Sequence, residues 1–423
     1  MTLTADDIFG ASTKRTTFER LPGGGYAYGL PDDAVRVEIR YLRRESGHLN
    51  AEVDVRCDWA GALRHEGSLS CADLNLSSQT ARRSLGKYCG ERAKTKDADF
   101  DWIGIIDAAC LQTIRAEREG DPVIVLDDAP DVVDRDVDIY GLKVPIDAAS
   151  ILIAHGDSLK SMTTLLILGT LAQRGVPTLY LDWEWSADRH KRRKHRLFGS
   201  ARLPALHYLR CRAPLVVEAD RLRRYCETHQ IAFVAVDSVG LACDGKLVDD
   251  DVAIRFHRAL ATLPPSLCAA HVPKSAISAD PKAEAMGPYG SVFFSNLCRA
   301  SWLVKKQPGS SDDVVTVGLF PQKQNDGDRQ KPVGLEFTFG ERIDVRAVNL
   351  ADVEGLSARL SLPTRIAHLL KDGHLRTFAE IAKALDAKTD SVIKAVDRGK
   401  GFAKITNTPD GIHRIALAER RIA

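Results

Sequence analysis

"ILIAHGDSLKSMTTLLILGT", residues 151–170, decides how this chain is read. An apolar run closes on a short polar loop, and an apolar helical pattern follows a Lys-Ser pair. In that strand–loop–helix form, consecutive main-chain N–H groups can face phosphates and feed a helix N-terminus. In the pattern G-x-x-x-x-G-K-[ST], the lysine reaches the terminal phosphates and the hydroxyl after it coordinates Mg²⁺. Aligned on Lys160 and Ser161, this sequence has Ala154 and Leu159 at the two glycine positions and keeps one glycine, Gly156, in mid-loop. The loop alone leaves two readings level: a phosphate site, or a strand and helix enclosing a structural lysine.

Two later stretches tilt the balance. "YLDWEW" (180–185) ends an apolar run on Asp182 and Glu184, and "VAVDSVG" (234–240) closes on Asp237. A buried strand ending in a carboxylate is common, but two of them in this order behind Lys-Ser are more specific. From 146 to 345, six apolar stretches ("SILIAH", "PTLYLDWE", "ALHYLRC", "IAFVAVDSVG", "SLCAAHV" and "ASWLVKK") alternate with amphipathic helical patterns. That rhythm predicts an α/β domain with a mainly parallel sheet.

On these residues, 146–345 resembles the RecA-like P-loop ATPases, in particular the RepA-type and DnaB-type replicative helicases and their mobile-element relatives. The resemblance implies ATP and Mg²⁺ as ligands. It implies nucleotide contacts from Gly156, Asp157, Ser158, Leu159, Lys160, Ser161 and Met162, and metal contacts from Ser161 and Asp237. Glu184 would activate the attacking water, and His271 in "AAHVPKS" would sense the γ-phosphate, with Lys274 nearby. "GPYGSVFFSNLCRASWLV" is similar to the family's segment carrying Gly290, Ser291 and Arg299. "LFPQKQNDGDRQKPVGLEF" resembles the hairpin that reaches a neighbouring subunit's nucleotide, which makes Lys323, with Asn325 and Arg299, the expected subunit-interface finger. A lysine supplied in trans implies a homo-oligomer, most often a hexamer in this family. Single-stranded DNA in the ring channel would meet 274–289 through Lys274 and Lys282.

The flanks read differently. Around "ESGHLN" the chain alternates at period two, a hairpin signal, and helical patterns follow, so 1–125 is expected as a small α+β domain. The aspartate-rich 126–145 reads as a linker, as does 346–360. From 361 to 423, three short helical patterns precede a ribbon with a Pro-Asp-Gly turn, which looks like a winged helix-turn-helix. Thr389 or Asp390 is the expected N-cap of its recognition helix, and Lys388, Ser391, Lys394 and Arg398 could face a major groove of duplex DNA. Residues 364–404 hold nine Lys/Arg against five carboxylates, a local excess suited to phosphates. A winged helix serving protein contacts is the competing reading. "DRHKRRKHRLFG" (188–199) is also strongly basic, and a solvated face or subunit contact beside the nucleotide is favoured there over nucleic acid.

Composition bounds the rest. The 423 residues are 44% hydrophobic and 27% charged, an ordinary globular mixture, with a net charge of only +2. Nucleic-acid affinity must therefore come from local patches. Nine cysteines without any C-x-x-C speak against a zinc site and a disulfide framework. The start lacks a basic-then-apolar leader, and no stretch is long and apolar enough for a membrane, so a cytoplasmic protein is expected. The leading functional expectation is a DNA-associated ATPase of plasmid or phage type, with a helicase in replication as its more specific form. The alternatives are a nucleotide-sensing DNA-binding regulator and an ATP-binding scaffold that does not hydrolyse.

Overall fold

The computed structural model describes residues 15–21, 24–94, 100–121, 123–129, 136–272, 287–311, 313–325, 330–399, 401–406 and 411–418. The chain divides into two compact units, Met1–Val132 and Val133–Ala423.

The first unit is a five-stranded antiparallel sheet of β1 (Thr17–Arg20), β2 (Tyr26–Leu30), β3 (Val35–Glu45), β4 (His48–Cys57) and β5 (Ser68–Asn75), in sequence order. The expected hairpin is the β3–β4 turn, where Glu45 pairs with His48. Along β4, Leu49, Ala51, Val53, Val55 and Cys57 are buried and the residues between them face outward, as the strand period requires. Helices α1 (Gln79–Ala93) and α2 (Trp102–Glu119) complete the unit. They approach closely at Gly86, where a Cβ would lie 2.7 Å from the Ile103 Cα.

The second unit opens with a hairpin, β6 (Asp136–Ile139) and β7 (Leu142–Pro145). There follow β8 (Ser150–Ala154), α3 (Lys160–Gln173), β9 (Thr178–Asp182), α4 (Ala187–Phe198), β10 (Leu206–Arg210), α5 (Leu215–Thr228) and β11 (Phe233–Asp237). The chain continues through α6 (Val239–Ala242), α7 (Asp250–Leu260), β12 (Ser266–His271), α8 (Phe293–Asn296), β13 (Ala300–Lys306), β14 (Val314–Gln324), β15 (Val333–Phe339) and β16 (Ile343–Val348). One nine-stranded sheet results, ordered β10-β9-β11-β12-β8-β13-β14-β15-β16. It is parallel from β10 to β13 and antiparallel beyond. Successive residues bury on opposite faces: Ile151 and Ile153 join the layer under α5 and α7, while Leu152 and Ala154 join the layer under α3. α3 is buried almost throughout, as a central helix of a sheet covered on both faces must be.

Neither expected linker is a free tether in the described residues. Ile139, Leu142 and Val144 of the β6–β7 hairpin are buried in the second unit's core, so part of 126–145 belongs to the α/β unit. In 346–360, β16 runs on to Val348, and Leu350, Val353, Leu356 and Leu360 are buried in the layer under α5 and α7. Their spacing of three or four residues is an apolar stripe that the linker reading overlooked.

The C-terminal segment folds as α9 (Leu362–Leu369), α10 (Phe378–Ala384) and α11 (Thr389–Arg398), then the antiparallel pair β17 (Phe402–Ile405) and β18 (Arg414–Leu417). Ile366, Leu370, Ile381, Val392, Val396 and Ile415 form its core. Thr377 and Glu380 close a reciprocal capping box on α10. The N-cap of α11 is Lys388 without a side-chain bond, so Thr389 and Asp390 lie inside the first turn rather than capping it.

Candidate functional site

The carboxyl ends of the parallel strands converge where β8 meets α3. Crevices at such strand ends are where open α/β sheets bind ligands. Loop residues Asp157 (φ 60°) and Leu159 (φ 54°) take the left-handed conformation that glycine usually supplies. The loop thus keeps the bend without the glycines, and non-glycine residues held this way concentrate at functional sites. The Leu159 side chain packs against the apolar layer under α3. Gly156, the surviving glycine, is not in the left-handed region, and a Cβ there would meet nothing within 4 Å. The glycine singled out in the sequence is therefore not what shapes the loop.

Among the described residues, the main-chain N–H groups of Gly156 through Met162 make no hydrogen bond within the chain. The first-turn donors of any helix lack internal partners, and here the loop extends that run into a concave set of donors suited to phosphate oxygens. Ser158 and Lys160 are buried, and the Met162 side chain lies in the core, so Met162 can offer a ligand only its N–H.

Lys160 is the centre of a charged cluster. Burial pulls its ammonium below the usual lysine range, while Asp237 and Glu184 oppose that shift. Its Nζ donates to His271 Nε2 at 3.1 Å, and the same nitrogen lies 3.9 Å from Glu184 Oε1. Nε2 of His271 thus stands between the Lys160 ammonium and the Glu184 carboxylate. Ser238 Oγ donates to Glu184 Oε1 at 2.6 Å. His271, the Ser238 hydroxyl and the Lys160 charge hold the Glu184 carboxyl down at about 2, against the raising effect of burial.

Asp237 ends β11 and is buried; its Oδ2 accepts from Tyr180 Oη at 2.5 Å. Its Oδ1 is buried with no hydrogen-bond partner among the described residues. That orphaned oxygen and the hydroxyl of Ser161, second residue of α3, fit a divalent cation accompanied by phosphates.

Asp182, paired with Asp237 across β9 and β11, does a different job. Its Oδ1 accepts from the main-chain N–H of Glu184 (2.8 Å) and Trp185 (3.0 Å), and its Oδ2 accepts from Tyr208 Oη (2.8 Å). His190 Nε2 lies 3.2 Å from Oδ2, too bent for a well-formed hydrogen bond. Burial would raise this carboxyl, but His190 and the three donors outweigh it and hold it well below the usual range. Asp182 therefore clamps the turn that presents Glu184.

Three groups escaped the sequence reading. Tyr180 and Ser238 were invisible because their role depends on strand pairing and a side-chain contact, not on a motif. The third, Lys306, closes β13 beside β8, where Val304 pairs with Ala154, and its Nζ lies 3.1 Å from Asp157 Oδ2. It offsets the one carboxylate in the phosphate-facing loop. The strand "ASWLVKK" was read, but not which neighbour it joins.

The remaining expected residues lie elsewhere. Arg299 pairs with Asp147 at 3.0 Å, and Lys323 donates to the carbonyls of Ser295 (3.3 Å), Asn296 (2.6 Å) and Cys298 (2.7 Å). Ser301 pairs with Lys323 and Ala300 with both Ser150 and Gln324, so Arg299, Lys323 and Asn325 sit at the amino end of β8 and β13. The 155–159 loop lies at the other end, a strand length of about 16 Å away, which precludes action on their own loop. A role across a subunit boundary would have to release the three carbonyls that Lys323 now caps. Gly290 (φ 109°) admits no side chain, since a Cβ would fall 2.3 Å from the Leu247 oxygen. Next to it, Tyr289 N–H donates to the His271 carbonyl, which braces that strand end. Lys274 and Lys282 lie outside the described residues. Lys388, Ser391, Lys394 and Arg398 are all exposed at or along α11, clear of buried Val392 and Val396.

No family model matches the chain, and no curated protein does. Among solved structures it is similar to the flagellar accessory protein FlaH from Methanocaldococcus jannaschii, at 13% identity and a TM-score of 0.36, over 48% of this chain and 90% of that one. It is also similar to a KaiC-like protein from Pyrococcus horikoshii OT3, at 11% identity and a TM-score of 0.39, over 51% of this chain and all of that one. No helix among the described residues is long and apolar enough to cross a membrane. No group of three or more His, Cys, Asp or Glu that could hold a metal ion occurs among them.

Proposed function

We propose that the chain is a RecA-like P-loop ATPase that couples ATP hydrolysis to work on DNA, in the manner of a plasmid or phage replicative helicase. The observation that carries the ATPase reading is the run of unpartnered N–H donors from Gly156 to Met162 beside Lys160, with Glu184, Asp237 and His271 around it. A triphosphate accepting from those donors takes the Lys160 ammonium from His271. Mg²⁺, held by Asp237 and Ser161, would neutralise phosphate charge. Glu184, kept ionised chiefly by its His271 contact, is then the carboxylate that orients the attacking water. Ser238 and the Asp182 clamp keep that carboxylate aimed.

The DNA reading draws on the C-terminal segment, taken as a winged helix-turn-helix with α11 as its recognition helix and Lys394 and Arg398 on its exposed side. Lys323, Asn325 and Arg299, far from their own loop, suit contact with a neighbouring copy, and a hexameric ring in the cytoplasm is the proposed assembly. ATP turnover with and without single-stranded DNA tests this. Lys160→Ala should abolish nucleotide binding, and Glu184→Gln should retain it while slowing hydrolysis by at least about 100-fold. Normal turnover in Glu184→Gln would refute the assignment of that residue, and turnover indifferent to DNA would refute the motor in favour of a nucleotide-sensing regulator.

A further inference from the structure

Arginines in the described residues are commonly tied to carboxylates: Arg43 to Asp73, Arg82 to Asp107, Arg221 to Glu218, Arg299 to Asp147 and Arg346 to Glu336. α4 departs from that habit. Arg189, Arg192, Arg193 and Arg196 stand at i, i+3, i+4 and i+7, one stripe along the helix, and none has a carboxylate partner among the described residues. Arg196 donates instead to the Gly340 carbonyl, and Arg193 keeps a buried Nη1 with no hydrogen-bond partner. Such neighbours repel one another, so the stripe suits a polyanion laid along it.

Trp185 supplies a second, independent feature. The indole is 37% exposed, with the guanidinium groups of Arg189 and Arg193 each 4.5 Å from its ring centroid. An exposed aromatic among arginines is how single strands are held without sequence preference: bases stack and planar guanidinium forks grip phosphates. An acidic peptide would need the cations but not the indole. At about 1.5 Å rise per residue the rungs lie about 5 Å apart, the scale of a nucleic-acid backbone. The position matters too, because Trp185 N–H and Glu184 N–H share one oxygen of Asp182.

Resting on the DNA-coupled reading above, we propose that Trp185 and the arginine stripe of α4 bind a single nucleic-acid strand, one residue from Glu184. Strand occupancy then reaches the hydrolytic carboxylate through the turn that Asp182 clamps. The test is fluorescence anisotropy of the full chain with a labelled oligothymidylate of about 20 nucleotides over a range of salt. Arg189→Glu with Arg192→Glu should lower affinity at least tenfold and flatten the slope of log K against log salt by about 1.4, the share of two phosphates on a single strand. Nucleotide affinity should stay within twofold, showing that the variant is folded, and Arg189→Lys with Arg192→Lys should keep the slope.

Wild-type affinity and slope in the charge-reversed variant would overturn the stripe while leaving the ATPase reading intact. A wild-type chain that turns over ATP but ignores oligothymidylate at low salt would sink both the stripe and the DNA coupling. Equal competition by polyglutamate at matched charge would reassign the stripe to an acidic protein. Complete loss of oligothymidylate binding in Lys394→Glu with Arg398→Glu would move the contact to α11.

Discussion

Replacing Asp182 with Asn changes one atom and tests whether the clamp positions Glu184. The amide oxygen can still accept from Glu184 and Trp185 N–H, but both bonds lose their charge assistance, roughly half their strength. The new NH₂ group stands where Oδ2 accepted from Tyr208 Oη and faced His190 Nε2, so donors now oppose it. Weakened bonds and one mismatched buried group together cost about 3 kcal/mol. At about 2–4 °C per kcal/mol for a domain of this size, the second unit should melt about 6–12 °C lower. Tryptophan fluorescence follows that melt, since Trp183, Trp185 and Trp302 all lie in the second unit. Hydrolysis should fall with little change in nucleotide affinity. A melting point within about 2 °C of the wild type refutes the clamp, and a lowered melt with unchanged turnover refutes its control of Glu184.

Leu159→Gly should leave ATP affinity within threefold, because the loop already holds the conformation glycine prefers; a tenfold loss by calorimetry would show that the side chain itself touches nucleotide. Lys306→Ala leaves Asp157 uncompensated beside the phosphates and should weaken ATP binding about fivefold, roughly 1 kcal/mol for a partly exposed pair; unchanged affinity would remove Lys306 from the site. Burial pushes the thiols of Cys89, Cys110, Cys211, Cys226, Cys243 and Cys298 up to about 12, whereas Cys71 is exposed. Brief iodoacetamide treatment near pH 8 should therefore label Cys71 first, with mass spectrometry as the readout, and early labelling of Cys298 would contradict its burial.

The six apolar stretches were legible as strands because each is a short β-rich run bounded by polar turns, and "SILIAH" became β8 almost to the residue. Lys160, Glu184, Asp237 and His271 were legible because each closes or follows such a run. What stayed hidden depends on pairing between distant segments. β14–β16 extend the same sheet in the antiparallel sense, which no local period announces. The aspartates of 126–138 suggested a tether and masked the apolar alternation of 137–144 that buries the β6–β7 hairpin. Lys323 looked like a finger because its motif neighbours did, while the carbonyls it caps are supplied by Ser295, Asn296 and Cys298, more than two dozen residues earlier in the chain.

Asp182 grips the turn through main-chain N–H groups, not through the side chains at 184 and 185. The carboxylate proposed to activate water is thus a replaceable fitting on a fixed mount. Evolution, or an engineer, could exchange the residue at 184 and alter the chemistry without rebuilding the bend that aims it.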